Sequence, residues 1–436
     1  MKRILIYSHD TYGLGNIRRM LNIAESIQSE FSDASILLLS GSPMIHAFRL
    51  TAGMDYVKLP CLTRDASESY KPKSLGISKN CILKLRAELI QSTVLSFEPD
   101  LILVDKKPLG VGGELAPTLE KLQRLEERPK MVLILRDILD KPEETISVWA
   151  NNRYHDVLHA IYDRILVLGS ADVFNAVEEY AFPPASAEKT FFCGYTNRSA
   201  PQRSVSEVRE EIGINGGRLV LVTTGGGEDG ANLVRVALNT VKQFGSGFAD
   251  HCHVFLGPEM PEPQADHFRS LSAALPSVSM QSFSSDFVSY LDAADAVVAM
   301  GGYNTVTEIL SRTLPAVIVP RTKPVSEQQI RATGLERLGL IKSLSPENLR
   351  PEELLRAVTD AIEQRHSAAR ARVNLNLGAL QKVANHVGNL LGDSRAERKL
   401  FRNDHTRLNG AGRSQVANGP VKPLIDELVP LAAGNS

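Results

Sequence analysis

Residues 295–308 read D-A-V-V-A-M-G-G-Y-N-T-V-T-E. The apolar run from Ala296 to Met300 stops at Gly301 and Gly302, and an amphipathic helix opening near Thr305 follows at once. A strand, a glycine turn and a helix start are the parts of a phosphate cradle. Glycines let the backbone approach an anion closely, and the unpaired amides of a helix start attract it. Three residues into that helix Glu308 offers a carboxylate to the two hydroxyls of a ribose. Thr305-x-x-Glu308 is equally a capping box, in which the two side chains satisfy each other's backbone amides. The neighbouring elements decide between a nucleotide clamp and a cap.

A second turn of the same kind lies upstream. Residues 219–223 (L-V-L-V-T) form a buried-strand pattern that runs into T-G-G-G-E-D-G-A-N-L-V, so Gly225, Gly226 and Gly227 precede a helix beginning near Ala231. Further strand patterns at 253–256, 278–281 and 316–319, with helical stretches at 264–274 and 287–293 between them, give a parallel sheet of alternating β and α units. After the last strand, S-E-Q-Q opens a helix in which Gln328 and Gln329 present amides suited to sugar hydroxyls.

The amino-terminal half repeats the scheme. Residues 3–7 (R-I-L-I-Y) are continuously apolar, as strands buried on both faces of a parallel sheet are, and S-H-D-T-Y-G-L-G-N-I-R-R then turns at Gly13 and Gly15 into a helix. His9, Asp10 and Asn16 fall at the carboxyl end of that strand, where open α/β sheets place their chemistry. Strand patterns recur at 35–40, 101–105, 131–135, 164–168 and 190–193, and a glycine loop at Gly110, Gly112 and Gly113 follows the second of these. Between residues 71 and 97, Lys71, Lys73, Lys79, Lys84 and Arg86 interleave with Ile82, Leu83, Leu85, Leu89 and Ile90. Such a basic amphipathic stretch suits peripheral contact with a membrane or a lipid-linked acceptor, and it suits an ordinary helix with a solvated face as well.

The chain has 436 residues, enough for two cores, since single cores seldom exceed roughly 250 to 300 residues. The expected division is 1–197, a linker at 198–206 where polarity and a proline break the pattern, 207–392, and a polar tail at 393–436. With 49 basic and 50 acidic side chains no global field favours nucleic acid. Four scattered cysteines without a C-x-x-C pair argue against a zinc site or disulfide framework and for a reducing, cytoplasmic setting. No apolar run reaches spanning length, so any membrane association is expected to be peripheral, on the inner face.

The run Q-S-F-S-S-D-F-V-S-Y-L-D-A-A-D-A-V-V-A-M-G-G-Y-N-T-V-T-E-I-L-S-R-T-L-P-A-V-I-V-P resembles the donor-site half of the MurG-like glycosyltransferases of family 28, and the opening Y-S-H-D-T-Y-G-L-G-N-I-R-R is similar to a bacterial subgroup of predicted glycosyltransferases. The resemblance implies a GT-B fold, two Rossmann-like domains facing across a cleft. It implies a metal-independent, inverting transfer from a nucleoside-diphosphate sugar, UDP-linked, to a hydroxyl of a glycan, a lipid-linked molecule or a small compound. No tightly bound cofactor is expected. By position, Glu308 would hold the ribose, Gly225, Gly226, Asn304 and Thr305 the diphosphate, Gln328 and Gln329 the sugar, and Phe283 the base. The family's glycine turn after the first strand commonly ends in histidine, where this chain has Asn16, which takes no proton at neutral pH. His9 and Asp10 are therefore the candidates for the base, with Arg136 and Asp137 behind them. A nucleotide-sugar epimerase of the same architecture and a binding protein that has lost the chemistry are the alternatives.

Overall fold

The computed structural model describes residues 2–9, 15–64, 70–197, 201–214, 216–312, 314–365 and 375–405, with backbone alone for residues 64 and 393–405. Asp10 and Gly13, part of the linker and the tail beyond 405 lie outside the described residues.

The first sheet contains β1 (Lys2–Ser8), β2 (Ala34–Ser40), β3 (Met54–Lys58), β6 (Leu101–Asp105), β7 (Lys130–Arg136), β8 (Arg164–Leu168) and β9 (Thr190–Phe192), and a small antiparallel hairpin is made by β4 (Leu62–Arg64) and β5 (Tyr70–Pro72). Its order, β3-β2-β1-β6-β7-β8-β9, reverses direction between β1 and β6, and every neighbouring pair is parallel. The second sheet, β10 (Leu219–Thr223), β11 (His251–Phe255), β12 (Val278–Gln281), β13 (Ala296–Ala299), β14 (Ala316–Ile318) and β15 (Lys342–Ser343), runs β12-β11-β10-β13-β14-β15 and reverses between β10 and β13. Both are Rossmann orders, and a reversal opens a crevice at the carboxyl ends of its two central strands. The glycine turns at 225–227 and 301–302 follow β10 and β13. They therefore flank the crevice of the second sheet.

Strand side chains alternate between the two faces of a sheet. Ile4 and Ile6 of β1 enter one buried cluster, while Leu5 and Tyr7 enter another. The first of these clusters continues into the second domain, taking in Leu219, Leu221, Val297 and Ala299, so the layer between the two sheets is a single apolar core. Helix 327–337 is seated closely in that layer. An added Cβ at its Gly334 would lie 2.4 Å from the Val173 carbonyl of the first domain.

Three features differ from the expectation. Edge strand β3 and the β4–β5 hairpin are additional to the pattern. The helix of the basic stretch begins at Lys79, where Ser78 caps the amide of Cys81, and Lys71 belongs to β5. Arg86, expected on a basic face, is fully buried and paired with Glu114 at 2.6 Å. The last helix, Ala379–His405, crosses back to the first domain: Gln381 bonds Glu30, and an added Cβ at Gly388 would press on the Phe31 ring at 2.7 Å. In the fold, the 207–392 segment thus delivers its final helix to the other domain.

Candidate functional site

The helix after β13 starts at Tyr303, two residues before Thr305, and its N-cap is Gly302 with no side-chain cap bond. The capping-box arrangement of Thr305 and Glu308 is therefore absent. Glu308 instead lies in the second turn, only 5 % exposed, on the wall of a cleft of about 990 Å³ between the domains. The first intrahelical bond runs from Val306 N–H to the Gly302 carbonyl at 2.9 Å, which leaves the amides of Tyr303, Asn304 and Thr305 ahead of the ladder. Those amides, and the positive end of the helix dipole, belong to residues of the cleft wall.

The turn after β10 meets the same point. An added Cβ at Gly225 would stand 3.6 Å from Thr305 Oγ1, so the two turns are in contact distance of each other. Gly227 adopts φ +103° with the Leu256 carbonyl 2.4 Å from where a Cβ would be, a position that only glycine fills. From the other domain the start of helix Gly15–Glu30 arrives, its Gly15 placed 3.1 Å (as an added Cβ) from Asn304 Nδ2. Gly15, Gly225, Gly226, Gly227, Gly302, Asn304, Thr305, Glu308 and Phe283 all line the cleft. Phe283 is 46 % exposed.

Two of the expected residues sit elsewhere. Gly301 packs rather than lines: its added Cβ would meet Gln328 Cβ at 3.0 Å, and its carbonyl accepts from Arg331 Nη1 at 2.7 Å. Gln329 is exposed outside the cleft lining, whereas Gln328 is buried in it and accepts at Oε1 from the Arg321 amide at 3.1 Å. Glu327, which the sequence reading did not assign, is the other cleft-lining member of that helix start. Burial alone would raise its pKa, but Arg136, Arg331, Arg321 and Lys106 outweigh burial and hold the carboxyl at about 2. It is an anion throughout the physiological range. That fixes it as a hydrogen-bond acceptor and disqualifies it as a base.

At the tip of the first sheet, His9 is buried, its Nε2 3.2 Å from Tyr70 Oη and its amide donating to Asp105 Oδ2 at 3.3 Å, and it is not among the cleft-lining residues. Asn16 does line the cleft. Its Nδ2 donates to the His9 carbonyl at 2.7 Å and its Oδ1 accepts from Arg19, which is itself paired with buried Asp105 at 2.8 Å. Asn16 acts here as a clasp between strand tip and helix. Of the weaker candidates, Arg136 pairs with Glu327 at 3.3 Å, and Asp137 takes both Nε and Nη2 of Arg331 at 2.6 and 2.8 Å. Asp137 lies in the first domain and Arg331 in the second. Because Arg331 also holds the Gly301 carbonyl, this buried pair sets the glycine turn before helix Tyr303–Leu310 against the opposite domain, assisted by Tyr303 Oη donating to the Leu168 carbonyl at 3.0 Å.

Among the described residues no group of three or more His, Cys, Asp or Glu is arranged to hold a metal ion, and no helix is long and apolar enough to cross a membrane. Cys61, Cys81, Cys193 and Cys252 are all free.

Residues 219–387 match the glycosyltransferase family 28 C-terminal domain. Over 384 residues, 87 % of this chain and 95 % of the relative, the sequence is 23 % identical to the UDP-N-acetylglucosamine–N-acetylmuramyl-(pentapeptide) pyrophosphoryl-undecaprenol N-acetylglucosamine transferase of Acetivibrio thermocellus. Among solved structures, MurG of Acinetobacter baumannii superposes with a TM-score of 0.58 at 14 % identity, covering 89 % of this chain and 100 % of its own. The glycosyltransferase SnogD from Streptomyces nogalater does so with a TM-score of 0.57 at 17 % identity, covering 89 % and 99 %. These structures share the two-domain fold.

Proposed function

We propose that this chain, a MurG-like glycosyltransferase of the GT-B architecture whose carboxyl-terminal half matches family 28, moves a sugar from a UDP-linked donor to an acceptor hydroxyl with inversion and without a metal ion. The observation that carries the reading is the meeting of two glycine turns, at Gly225 and at Gly302 to Thr305, beside a buried carboxylate, Glu308, in one interdomain cleft. Amides and a helix end directed at one point offset the charge of a leaving diphosphate. Glu308 accepts the ribose hydroxyls, Phe283 stacks on the base, and Glu327 with Gln328 takes the donor sugar's hydroxyls. Glu327 replaces Gln329 in the sugar-binding role assigned from sequence.

In the reaction the acceptor oxygen forms a bond to the anomeric carbon as the bond from that carbon to the diphosphate oxygen breaks, and the acceptor proton passes to a base of the first domain. Asn16 offers no such group and His9 is buried against Tyr70, so Asp10, next in sequence, is the base we assign. The hairpin meets the tip of the first sheet through Tyr70, whose Oη is 3.2 Å from His9 Nε2, and the helix Lys79–Phe97 packs against β5 of that hairpin. There Leu75, Ile77, Leu85 and Leu89 are exposed amid Lys73, Lys79 and Lys84. That surface suits peripheral contact with the inner membrane face and a lipid-linked acceptor of bacterial glycan synthesis.

Calorimetric titration with UDP tests the reading: Glu308→Ala should weaken binding by ~1 to 3 kcal/mol, the usual loss of a charged hydrogen-bonding partner. Wild-type protein that binds no nucleoside diphosphate overturns it. Incubating the enzyme with donor alone separates transfer from epimerisation, since only an epimerase would convert the sugar.

A further inference from the structure

Phe283 leaves almost half of its surface open in the cleft wall. The group that stands over it comes from the other domain. Arg18, on the helix Gly15–Glu30, holds its guanidinium carbon 5.5 Å from the Phe283 ring centroid. The start of that helix is fixed nearby, because Gly15 abuts Asn304 at the turn assigned to the diphosphate. Arg18 lies three residues, less than one full turn, beyond Gly15, so one helix reaches both the diphosphate turn and the aromatic face.

The spacing decides what Arg18 can do. Stacked planes pack at roughly 3.5 Å, so a base lying between the guanidinium and the ring needs them roughly 7 Å apart. At 5.5 Å no base fits between them. We propose that Arg18 covers the base seat on Phe283 in the free enzyme, and that an arriving nucleobase displaces it and is then covered by it, giving a Phe283–base–Arg18 sandwich. A planar cation is suited to this, since it stacks on a π-face as an ammonium does not. The consequence is a latch between domains that only a base can engage. Arg18 is thereby a positioning residue for the donor: it ties the first domain to the nucleotide once the base is seated. This inference rests on the nucleotide-sugar reading given above.

The test is a calorimetric titration of the full chain, with UDP, dTDP and GDP to find the tightest nucleotide and inorganic pyrophosphate as the base-free probe. Arg18→Ala should raise the Kd of that nucleotide roughly three- to thirty-fold, and Arg18→Lys should recover only part of it. Phe283→Ala should raise it about ten-fold or more, and adding Arg18→Ala to that variant should change little further, because the cation then has no sandwich to close. Pyrophosphate affinity should be the same in the wild type and all four variants, and in turnover the Arg18→Ala loss should appear in the donor KM with kcat retained. A thermal melt of each variant certifies folding. Equal losses for nucleotide and pyrophosphate would reduce Arg18 to a general charge, and independent, additive losses with Phe283→Ala would remove the sandwich; either overturns the latch. Undiminished nucleotide binding by Arg18→Ala overturns the latch alone, whereas wild-type protein that binds none of the three nucleotides overturns the donor reading as well.

Discussion

Substituting Gly302 by alanine tests the diphosphate cradle with little disturbance of the fold. Gly302 has φ −60° and ψ 138°, a conformation that alanine adopts without strain. A Cβ built there meets no atom within 4 Å, and Gly302 lines the cleft, so the new methyl stands in the cleft itself. As an N-cap, alanine is poorer than glycine by a few tenths of a kcal/mol to about 1, and the stiffer unfolded chain returns about 0.4 to 1, so stability should change little. Binding should not escape so lightly. The methyl occupies the approach to the amides of Tyr303, Asn304 and Thr305, and losing one charge-assisted bond of about 1.5 to 3 kcal/mol raises the UDP Kd roughly 10- to 150-fold. Urea denaturation and calorimetry on the same preparation read the two quantities separately. Gly301→Ala supplies the contrast, since its Cβ would meet Gln328 Cβ at 3.0 Å and Ile318 Cγ2 at 3.3 Å, and overpacking of that kind costs about 1 to 3 kcal/mol of stability. A stable Gly302→Ala protein with wild-type UDP affinity would refute the reasoning, because the anion would then not sit on this helix start.

Two further outcomes follow from buried charge. Arg331→Met takes from Asp137 its buried ion-pair partner between the domains, so it should cost about 3 to 5 kcal/mol in urea denaturation, and adding Asp137→Leu should recover a large part of that loss. His253 is held neutral, its pKa pushed down to about 4 by burial first and by neighbouring His251 second, against a weaker opposing pull from Glu211. Its depressed pKa means that the folded state resists the proton. The associated stability is complete above about pH 6.5 and is lost as pH falls toward 4, roughly 3 kcal/mol in all. His253→Phe should flatten that limb of the stability profile, and an unchanged limb would place the titration elsewhere.

How much of this could be read from the chain alone depends on the distance over which each feature is encoded. Strands buried on both faces announce themselves as unbroken apolar runs, and 101–105, 164–168, 219–223 and 296–299 fall where those runs fall. Edge strand β3, M-D-Y-V-K, is half-buried and broken by Asp55 and Lys58, and β15 has only two residues, so neither carries such a run. The glycine turns were legible for the same local reason as the central strands. Gln329 falls outside the cleft lining because side chains two residues apart on a helix point roughly 200° apart, and the phase is set by where the helix starts. With the helix starting at Glu327, that residue and Arg331 share one face toward the cleft floor and Asp137, and Gln329 is turned away. The pairs that join the halves have no local signature at all. Arg331 meets Asp137 across 194 positions, and Arg18 meets Phe283 across the cleft. A guanidinium reads as a solvated surface group until the fold supplies its partner. The final helix was evident as a helix, but its apolar stripe of Val383, Ala384, Val387 and Leu391 fits either domain; only the fold shows it covering Ile23, Ile27 and their neighbours in the first. A cleft between two domains is built mainly from such long-range pairs, and for that reason the two glycine turns could be read from the sequence while the contacts that join the domains around them could not.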